Sequence, residues 1–381
     1  MVVVLALSTI EGRAASPPAA QTPATDLKTS IGRLSAFDYP TRSSAARGLR
    51  RLVAADVVPA LTDAARSHPD QFVRARALVL LTAFRDPGTS ALMETLLKDR
   101  NDRVREVAYR WFEEHPEPRL VPTLLTALET EQAEFVRPAL IRAVAAHDDY
   151  MAVQRALLAE TTRGLDFFRS AVIETLGEHR ATYAVEALTR ITATDGLLQD
   201  DAILALGRIG DSSSRATLTG LAMLPADVVP VRHAALCMLQ DDCPSQIAAL
   251  VATLKNPTAA PAVARAAVAA LGAIAESGND TAISTLFTLA GQSAGRTRDE
   301  VAIAFASAAM RRPEQIVAWI DKASEANRAA AIDILRSGFE SLEEDYAEEQ
   351  FFANVRAAYW AAPEGSTTRT VTAALIDRLE F

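Results

Sequence analysis

The chain has 381 residues and a net charge of −9 at neutral pH; 49% of the residues are hydrophobic, 23% charged and 6% aromatic. This composition is too apolar for a disordered chain and too rich in charge for a bundle of membrane helices. The acidic balance, with only four lysines among 39 basic residues, argues against a globally basic nucleic-acid-binding protein.

Residues 1–25 differ from the rest of the chain and predict a flexible leader. An apolar run at 2–7 is followed by small residues and by a stretch rich in Pro, Ala and Thr. The run is too short to span a bilayer, and no basic residue precedes Arg13, although a signal peptide begins with one. Two interpretations stay open, the remnant of an export signal and a cytoplasmic tail. The Pro-rich spacer resembles linkers of exported bacterial proteins, which favours the periplasm.

From residue 26 onward the sequence repeats itself. Segments such as QFVRARALVLL at 71–81 and EFVRPALIRAV at 134–144 align on an arginine, and we call the aligned position the anchor. Nine of the ten spacings between successive anchors lie within two residues of 32, and the last is 41. A fixed period of this size is typical of stacked helical repeats. The anchors are Arg42, Arg74, Arg105, Arg137, Arg169, Gln199, Arg232, Ala264, Arg298, Arg328 and Arg369.

Two further columns give the local structure of each unit. The residue three positions after the anchor is apolar in ten of the eleven units. The residue seven positions after the anchor is apolar in all eleven. Steps of three and four place both columns on one face of a helix. Leu-Gly pairs at 176–177, 206–207 and 271–272 indicate the C-cap of this first helix. A second periodic run follows, so each unit is predicted to be a helix–turn–helix that is stable only when stacked.

These motifs resemble the short HEAT-like repeats first described in phycobilisome lyases. The shared features are the V-R-x-x-A pattern, the Leu-Gly pair and the A-x-x-x-L second helix. The resemblance covers residues 27–381 and implies an all-α fold, a right-handed α-solenoid of about eleven units of about 32 residues. It says little about activity, because the family includes scaffolds, chromophore lyases, DNA glycosylases and tails of larger enzymes.

A carboxylate precedes several anchors and suggests a structural ladder. Such an acid can cap its helix and also face the arginine of its own or of a neighbouring unit, and the resemblance implies that acid–arginine ladders hold the stack in register. The alternative is an acidic strip for a metal or a basic ligand. The expected ladder consists of Asp70, Arg74, Asp102, Arg105, Glu134, Arg137, Asp166, Arg169 and Arg232.

Three histidines share one position in consecutive units. His115, His147 and His179 each stand ten residues after an anchor, at the turn between the two helices. Neighbouring helices lie about 8–10 Å apart, which is too far for three imidazoles to bind one ion directly. We therefore expect each histidine to cap the end of its first helix, and we expect no bound metal and no cofactor.

The two cysteines permit a single bridge at most. Cys237 is predicted to lie on a helix and Cys243 in the loop after it. A disulfide requires the helix to end between them, and the simpler interpretation is two separate thiols.

The carboxyl-terminal unit is atypical. An acidic segment fills the longer spacing after Arg328, and an aromatic group follows at 351–360. We interpret residues from about 338 to 381 as a capping unit, since terminal repeats must present a polar face; the alternative is an acidic surface for a basic partner.

The sequence contains none of the common catalytic or nucleotide-binding motifs. We therefore expect a non-enzymatic scaffold for protein–protein interaction, monomeric, with a curved surface of second helices and with no nucleic acid or membrane span. The alternative is a lyase-like or accessory protein that acts on a prosthetic group or assists a larger enzyme. The expected partner surface comprises Arg155, Glu186 and Arg190.

Overall fold

The structure, a computed structural model, describes residues 24–194, 196, 198–221, 223–240, 242–342 and 345–379. Within these ranges every regular element is helical, with 22 α-helices and three short 3-10 helices. The predicted all-α solenoid is confirmed. The expectation of a leader falls almost wholly on residues 1–23, outside the described part of the chain.

Each unit has a first helix that carries the anchor and a second helix that follows it. A short helix, α1 (Ala24–Gly32), precedes the first unit. The first helices are α2 (Tyr39–Arg50), α4 (Gln71–Phe84), α6 (Asp102–Glu114), α8 (Arg137–Ala145), α10 (Asp166–Glu178), α12 (Leu198–Ile209), α14 (Val229–Met238), α16 (Pro261–Glu276), α18 (Gly295–Arg311), α20 (Glu325–Leu342) and α22 (Thr367–Leu379). The second helices are α3 (Ala54–Ser67), α5 (Thr89–Leu96), α7 (Val121–Thr130), α9 (Met151–Glu160), α11 (Val185–Thr192), α13 (Ser212–Gly220), α15 (Cys243–Lys255), α17 (Asp280–Gln292), α19 (Pro313–Lys322) and α21 (Asp345–Ala361).

Short polar side chains start many of these helices. Asp38 accepts a hydrogen bond from the Thr41 amide at 2.9 Å, and Asp211 accepts one from the Ser214 amide at 2.7 Å. The first N–H groups of a helix have no partner inside it, so these carboxylates satisfy donors that would otherwise be lost.

The two columns of the sequence form the core. All eleven residues three positions after the anchor are buried, Thr372 among them; ten of the eleven residues at seven positions after it are buried, and Ile376 is half-buried. Because both columns lie on one face of the first helix, neighbouring first helices pack directly against each other.

The Leu-Gly pairs have a different role from the predicted one. Gly177, Gly207 and Gly272 lie inside α10, α12 and α16 and do not cap them. A Cβ on Gly207 would stand 2.6 Å from the Cα of Ala235, and one on Gly177 would stand 2.7 Å from the Cα of Ala205. The missing side chain therefore lets the next first helix approach closely, which draws the first helices together and curves the stack.

The superhelix closes on itself. Helix α21 packs against α4, and the Arg50 Nε of α2 donates to the Glu349 carboxylate of α21 at 2.7 Å, across 299 residues of sequence. First helices also meet across the interior, where Arg311 of α18 bonds Glu174 of α10 at 3.2 Å. The inner surface is therefore lined mainly by first helices, and among the second helices α21 packs against them to close it.

The carboxyl-terminal unit differs in detail from the sequence-based boundaries. Helix α20 continues to Leu342, so the predicted start at 338 falls inside it, and Glu340 belongs to a helix and not to a loop. Phe351 and Phe352 of α21 are buried, with ring centroids 5.1 and 6.4 Å from that of Phe339. Trp360 by contrast is 73% exposed.

Cys237 and Cys243 form a disulfide. Helix α14 ends at Met238 and α15 begins at Cys243, so the steric condition for a bridge is met. The simpler interpretation of two separate thiols is wrong, because the chain reverses between the two helices and brings both cysteines together.

Candidate functional site

Most anchor side chains cap the preceding helix. Seven of them donate to backbone carbonyl oxygens at or just beyond the C-terminal end of that helix, at 2.7–3.1 Å. These carbonyls lack partners within the helix and carry a partial negative charge. For six of the seven anchors the capped helix belongs to the previous unit, so the contact ties two units together; Arg42 instead holds the segment that precedes the first unit. The seven anchors are Arg42, Arg105, Arg169, Gln199, Arg232, Arg328 and Arg369.

Three anchors pair with acids that the sequence did not indicate. The acid stands 23–26 residues after the anchor, at the end of the second helix of the same unit. The guanidinium thus lies between the ends of successive second helices. The pairs are Arg74–Asp99, Arg105–Glu131 at 2.7 Å and Arg137–Glu160 at 3.1 Å.

The predicted ladder acids mostly serve their own helices. Asp70 accepts from the Phe72 amide at 2.8 Å, Asp102 accepts from the Arg103 amide at 2.9 Å, and Glu134 is exposed. Only Asp166 pairs with its anchor, Arg169, at 2.9 Å. The predicted partners of Arg74, Arg105 and Arg137 are therefore wrong, because an acid at a helix start points to the free amides beside it.

Glu131 shows the electrostatic strength of the observed pairing. Burial raises the pKa of this carboxyl, but the hydrogen bonds from Arg105 and from the Ala133 amide outweigh burial and hold the pKa below its usual value. A charged Glu131 is thus stabilised in the folded chain.

The three histidines lie at the turns where the sequence placed them, in different surroundings. His115 stacks on Trp111 at 3.8 Å, and its Nδ1 lies 3.1 Å from the Trp111 carbonyl oxygen. His147 is buried, burial lowers its pKa, and its Nε2 has no hydrogen-bond partner among the described residues. In the described part of the chain no three His, Cys, Asp or Glu side chains gather in a metal-binding group.

The expected partner surface is exposed. Glu186 and Arg190 pair with each other at 3.0 Å on α11, and their side chains are 87% and 70% exposed. Arg155 is exposed on α9.

A polar cavity of about 660 Å³ lies inside the superhelix. The C-terminal ends of six first helices, from α6 to α18, contribute to its wall. Arg311 bonds Glu178 at 2.5 Å, and Arg208 lies 3.7 Å from Glu276. Charges of both signs thus face each other across the cavity.

Two neighbouring acids of this cavity have no ion-pair partner among the described residues, Glu113 and Glu114 of α6. Burial among the surrounding helices, together with the Glu113 charge, raises the pKa of Glu114 to about 7. Burial likewise raises the pKa of Glu113, against the opposing effect of Arg142. Tyr346 of α21 faces the same acids; burial and then the charge of Glu114 raise its pKa. The cavity therefore holds two acids whose pKa values lie above the usual glutamate value.

Large apolar side chains are exposed along one edge of the stack. Phe72, Phe135 and Phe167 each stand two residues before an anchor, at the start of a first helix, and are 53%, 40% and 62% exposed. The residue between each of them and its anchor is buried. We call the exposed side chains the aromatic edge; its members are Phe37, Tyr39, Phe72, Phe135, Leu165 and Phe167.

Contacts along the aromatic edge link the second, third and fourth units. Asn101 of the third unit donates to Gln71 of the second at 2.8 Å. The guanidinium of Arg103, in the third unit, lies 4.5 Å from the ring centroid of Phe135 in the fourth. Arginine thus replaces phenylalanine in the third unit and stacks on the next ring.

The sequence comparison places the first units in a known repeat class. Residues 31–110 match the family model described as HEAT repeats. The units in this range thus resemble HEAT repeats. No curated protein matches the chain in sequence.

Solved structures with similar helical architecture include an engineered protein from the Northeast Structural Genomics Consortium and yeast importin-beta. The engineered protein is 17% identical, with 93% of this chain and 99% of that chain covered and a TM-score of 0.31. Importin-beta is 11% identical, with 93% of this chain and 57% of that chain covered and a TM-score of 0.43. No helix among the described residues is both long and apolar enough to cross a membrane.

Two features of the structure, the aromatic edge and the inner cavity, were not predicted from the sequence. The aromatic edge had a visible signal, the Phe that precedes the buried residue in QFVR, EFVR and DFFR. The inner cavity had none, since it depends on contacts between units far apart in sequence.

Proposed function

We propose that this protein is a scaffold for protein–protein interaction and that the aromatic edge is its principal contact surface. The observation that carries the proposal is the row of exposed side chains at one equivalent position of the second to fifth units, three of them phenylalanine and one the arginine Arg103. Exposed apolar groups that form a contiguous row mark contact sites more often than isolated ones do. Aromatic and arginine side chains also supply most of the binding energy in interfaces.

The shape of the partner follows from the spacing of the edge. Neighbouring first helices lie about 8–10 Å apart, so successive rings offer anchoring points at intervals of roughly that length. An extended segment of a partner protein, with apolar side chains at similar intervals, can contact several units at once. The second-helix residues Arg155, Glu186 and Arg190 are a second candidate contact, flatter and more polar.

The alternative function, action on a prosthetic group, would use the inner cavity. A small-molecule site is usually lined by apolar side chains with a few polar groups, whereas this cavity is lined by acids, arginines and helix ends. We therefore favour the scaffold.

Affinity capture with three baits tests the proposal. Wild type is compared with the edge variant Phe72→Ser/Phe135→Ser/Phe167→Ser and with the second-helix variant Arg155→Ala/Glu186→Ala/Arg190→Ala. We expect a protein retained by wild type to be lost by the edge variant and kept by the second-helix variant. Retention by the edge variant with loss by the second-helix variant would assign the contact to Arg155, Glu186 and Arg190.

A further inference from the structure

The closure of the superhelix is built differently from the contacts between successive units. The apolar core forms two clusters, one over residues 27–239 and one over residues 234–379. Of the described residues after 239, only Tyr346 belongs to the first cluster. Helix α21 buries Phe351 and Phe352 in the second cluster and meets the first units through Tyr346 and through polar groups.

We call these contacts of α21 with α2, α4 and α6 the seam. Glu349 is fully buried and accepts from Arg50 at 2.7 Å across the seam and from Arg356, on its own helix, at 3.0 Å. Gln350 donates to the Thr82 hydroxyl at 2.9 Å, and the Arg110 guanidinium lies 5.7 Å from the Tyr346 ring.

The packing along the seam is incomplete. A cleft of about 80 Å³, partly open to solvent, remains where Leu34 and Leu80 face Phe352. Protein interiors are normally close-packed, and a gap forfeits the dispersion contacts of the groups that line it. When an ion pair such as Arg50–Glu349 separates, both charged groups are hydrated again. This hydration partly compensates for the lost attraction between them.

We propose that the superhelix has two states and that the seam is where it opens. In the open state α21 leaves α2, α4 and α6 as one body with the second cluster, while the contacts between successive units persist. Opening exposes to a partner protein the faces of α2, α4 and α6 that α21 covers in the closed state. The seam thus regulates access to a surface that the closed chain covers with its own helix. That a partner protein uses the exposed surface rests on the proposed scaffold function. The opening of the seam does not depend on that function.

Distance measurements between spin labels on the purified full chain test the seam. Labels are placed on the exposed residues Ser44 of α2 and Ala357 of α21, as Ser44→Cys and Ala357→Cys; the native cysteines are bridged. The seam variant Arg50→Met/Thr82→Val removes two contacts while Glu349 keeps Arg356. The control Glu131→Gln weakens an equally buried arginine pair inside the stack.

We expect the seam variant to shift the label distances toward longer values while helical circular dichroism is unchanged. The control is expected to keep the wild-type distances although its melting temperature falls. If the seam variant is poorly folded, Glu349→Gln weakens the same ion pair from the α21 side and should lengthen the label distances likewise. Unchanged distances in a folded seam variant, or an equal lengthening in the control, would overturn the proposal. No partner is present in this experiment, so its failure leaves the scaffold proposal intact.

Discussion

Arg311 of α18 and Glu178 of α10 form an ion pair at 2.5 Å although three units lie between those of their helices. Both residues stand at the C-terminal ends of first helices, on the inner surface of the superhelix. Such a contact requires strong curvature of the stack, and the curvature follows from how closely the first helices approach each other.

The glycines that permit this approach should not tolerate a side chain. Gly207→Ala would place a Cβ 2.6 Å from the Cα of Ala235, so the backbone must shift. We expect a loss of about 1–3 kcal/mol of unfolding free energy, measured by urea denaturation. Gly48 of α2 is the control, because nothing lies within 4 Å of a Cβ there. Gly48→Ala should be neutral or stabilise by up to about 1 kcal/mol; an equal loss in both variants would contradict the account.

The anchor arginines should matter more than exposed arginines. Arg105→Ala removes the ion-pair partner of the buried Glu131 and the donor to the Asp99 carbonyl, and we expect a loss of about 1–3 kcal/mol. The control Arg190→Ala removes a 70% exposed partner of Glu186 and should change stability by less than about 0.5 kcal/mol. Thermal melting monitored by circular dichroism separates the two. A silent Arg105→Ala variant would refute the capping role.

The pH dependence of stability should contain a contribution from Glu114. Its pKa is about 7 in the folded chain and 4.5 for an ordinary glutamate. Between these two pH values the carboxyl is therefore protonated in the folded chain and charged in the unfolded chain. Stability from this group is therefore highest below about pH 4.5 and declines as the pH rises to about 7. Glu114→Gln should be more stable than wild type at pH 8, and the difference should shrink toward pH 4.5.

Urea denaturation at both pH values checks this expectation. Glu186→Gln, at a side chain that is 87% exposed, is the control. A Glu114→Gln difference that is the same at both pH values would show that the carboxyl does not titrate as described.

The fold was predictable from the sequence because its determinants are local and repeated. Columns such as Ala77 and Leu81 recur at the helical period and are buried as their spacing requires. The partner of Arg137 was not predictable in the same way, since Glu134 is nearer in sequence but Glu160 is nearer in space. The Arg50–Glu349 contact depends on the sum of small rotations over the whole stack, which no single unit encodes.

The candidate site was only partly predictable for a related reason. The Phe of EFVR stands beside a residue that turns into the core, and helical geometry then directs Phe135 outward. That deduction needs the exact start of each first helix, which the sequence places less precisely than the helix itself.

Photo-crosslinking in the native host tests the central claim, contact with a partner at the aromatic edge, most directly. A benzophenone amino acid is placed at Phe135 in one variant and at Arg155 in another; both side chains are exposed. The account predicts a covalent adduct with another protein from position 135 and little or none from position 155. Adducts from position 155 alone, with none from position 135, would contradict it.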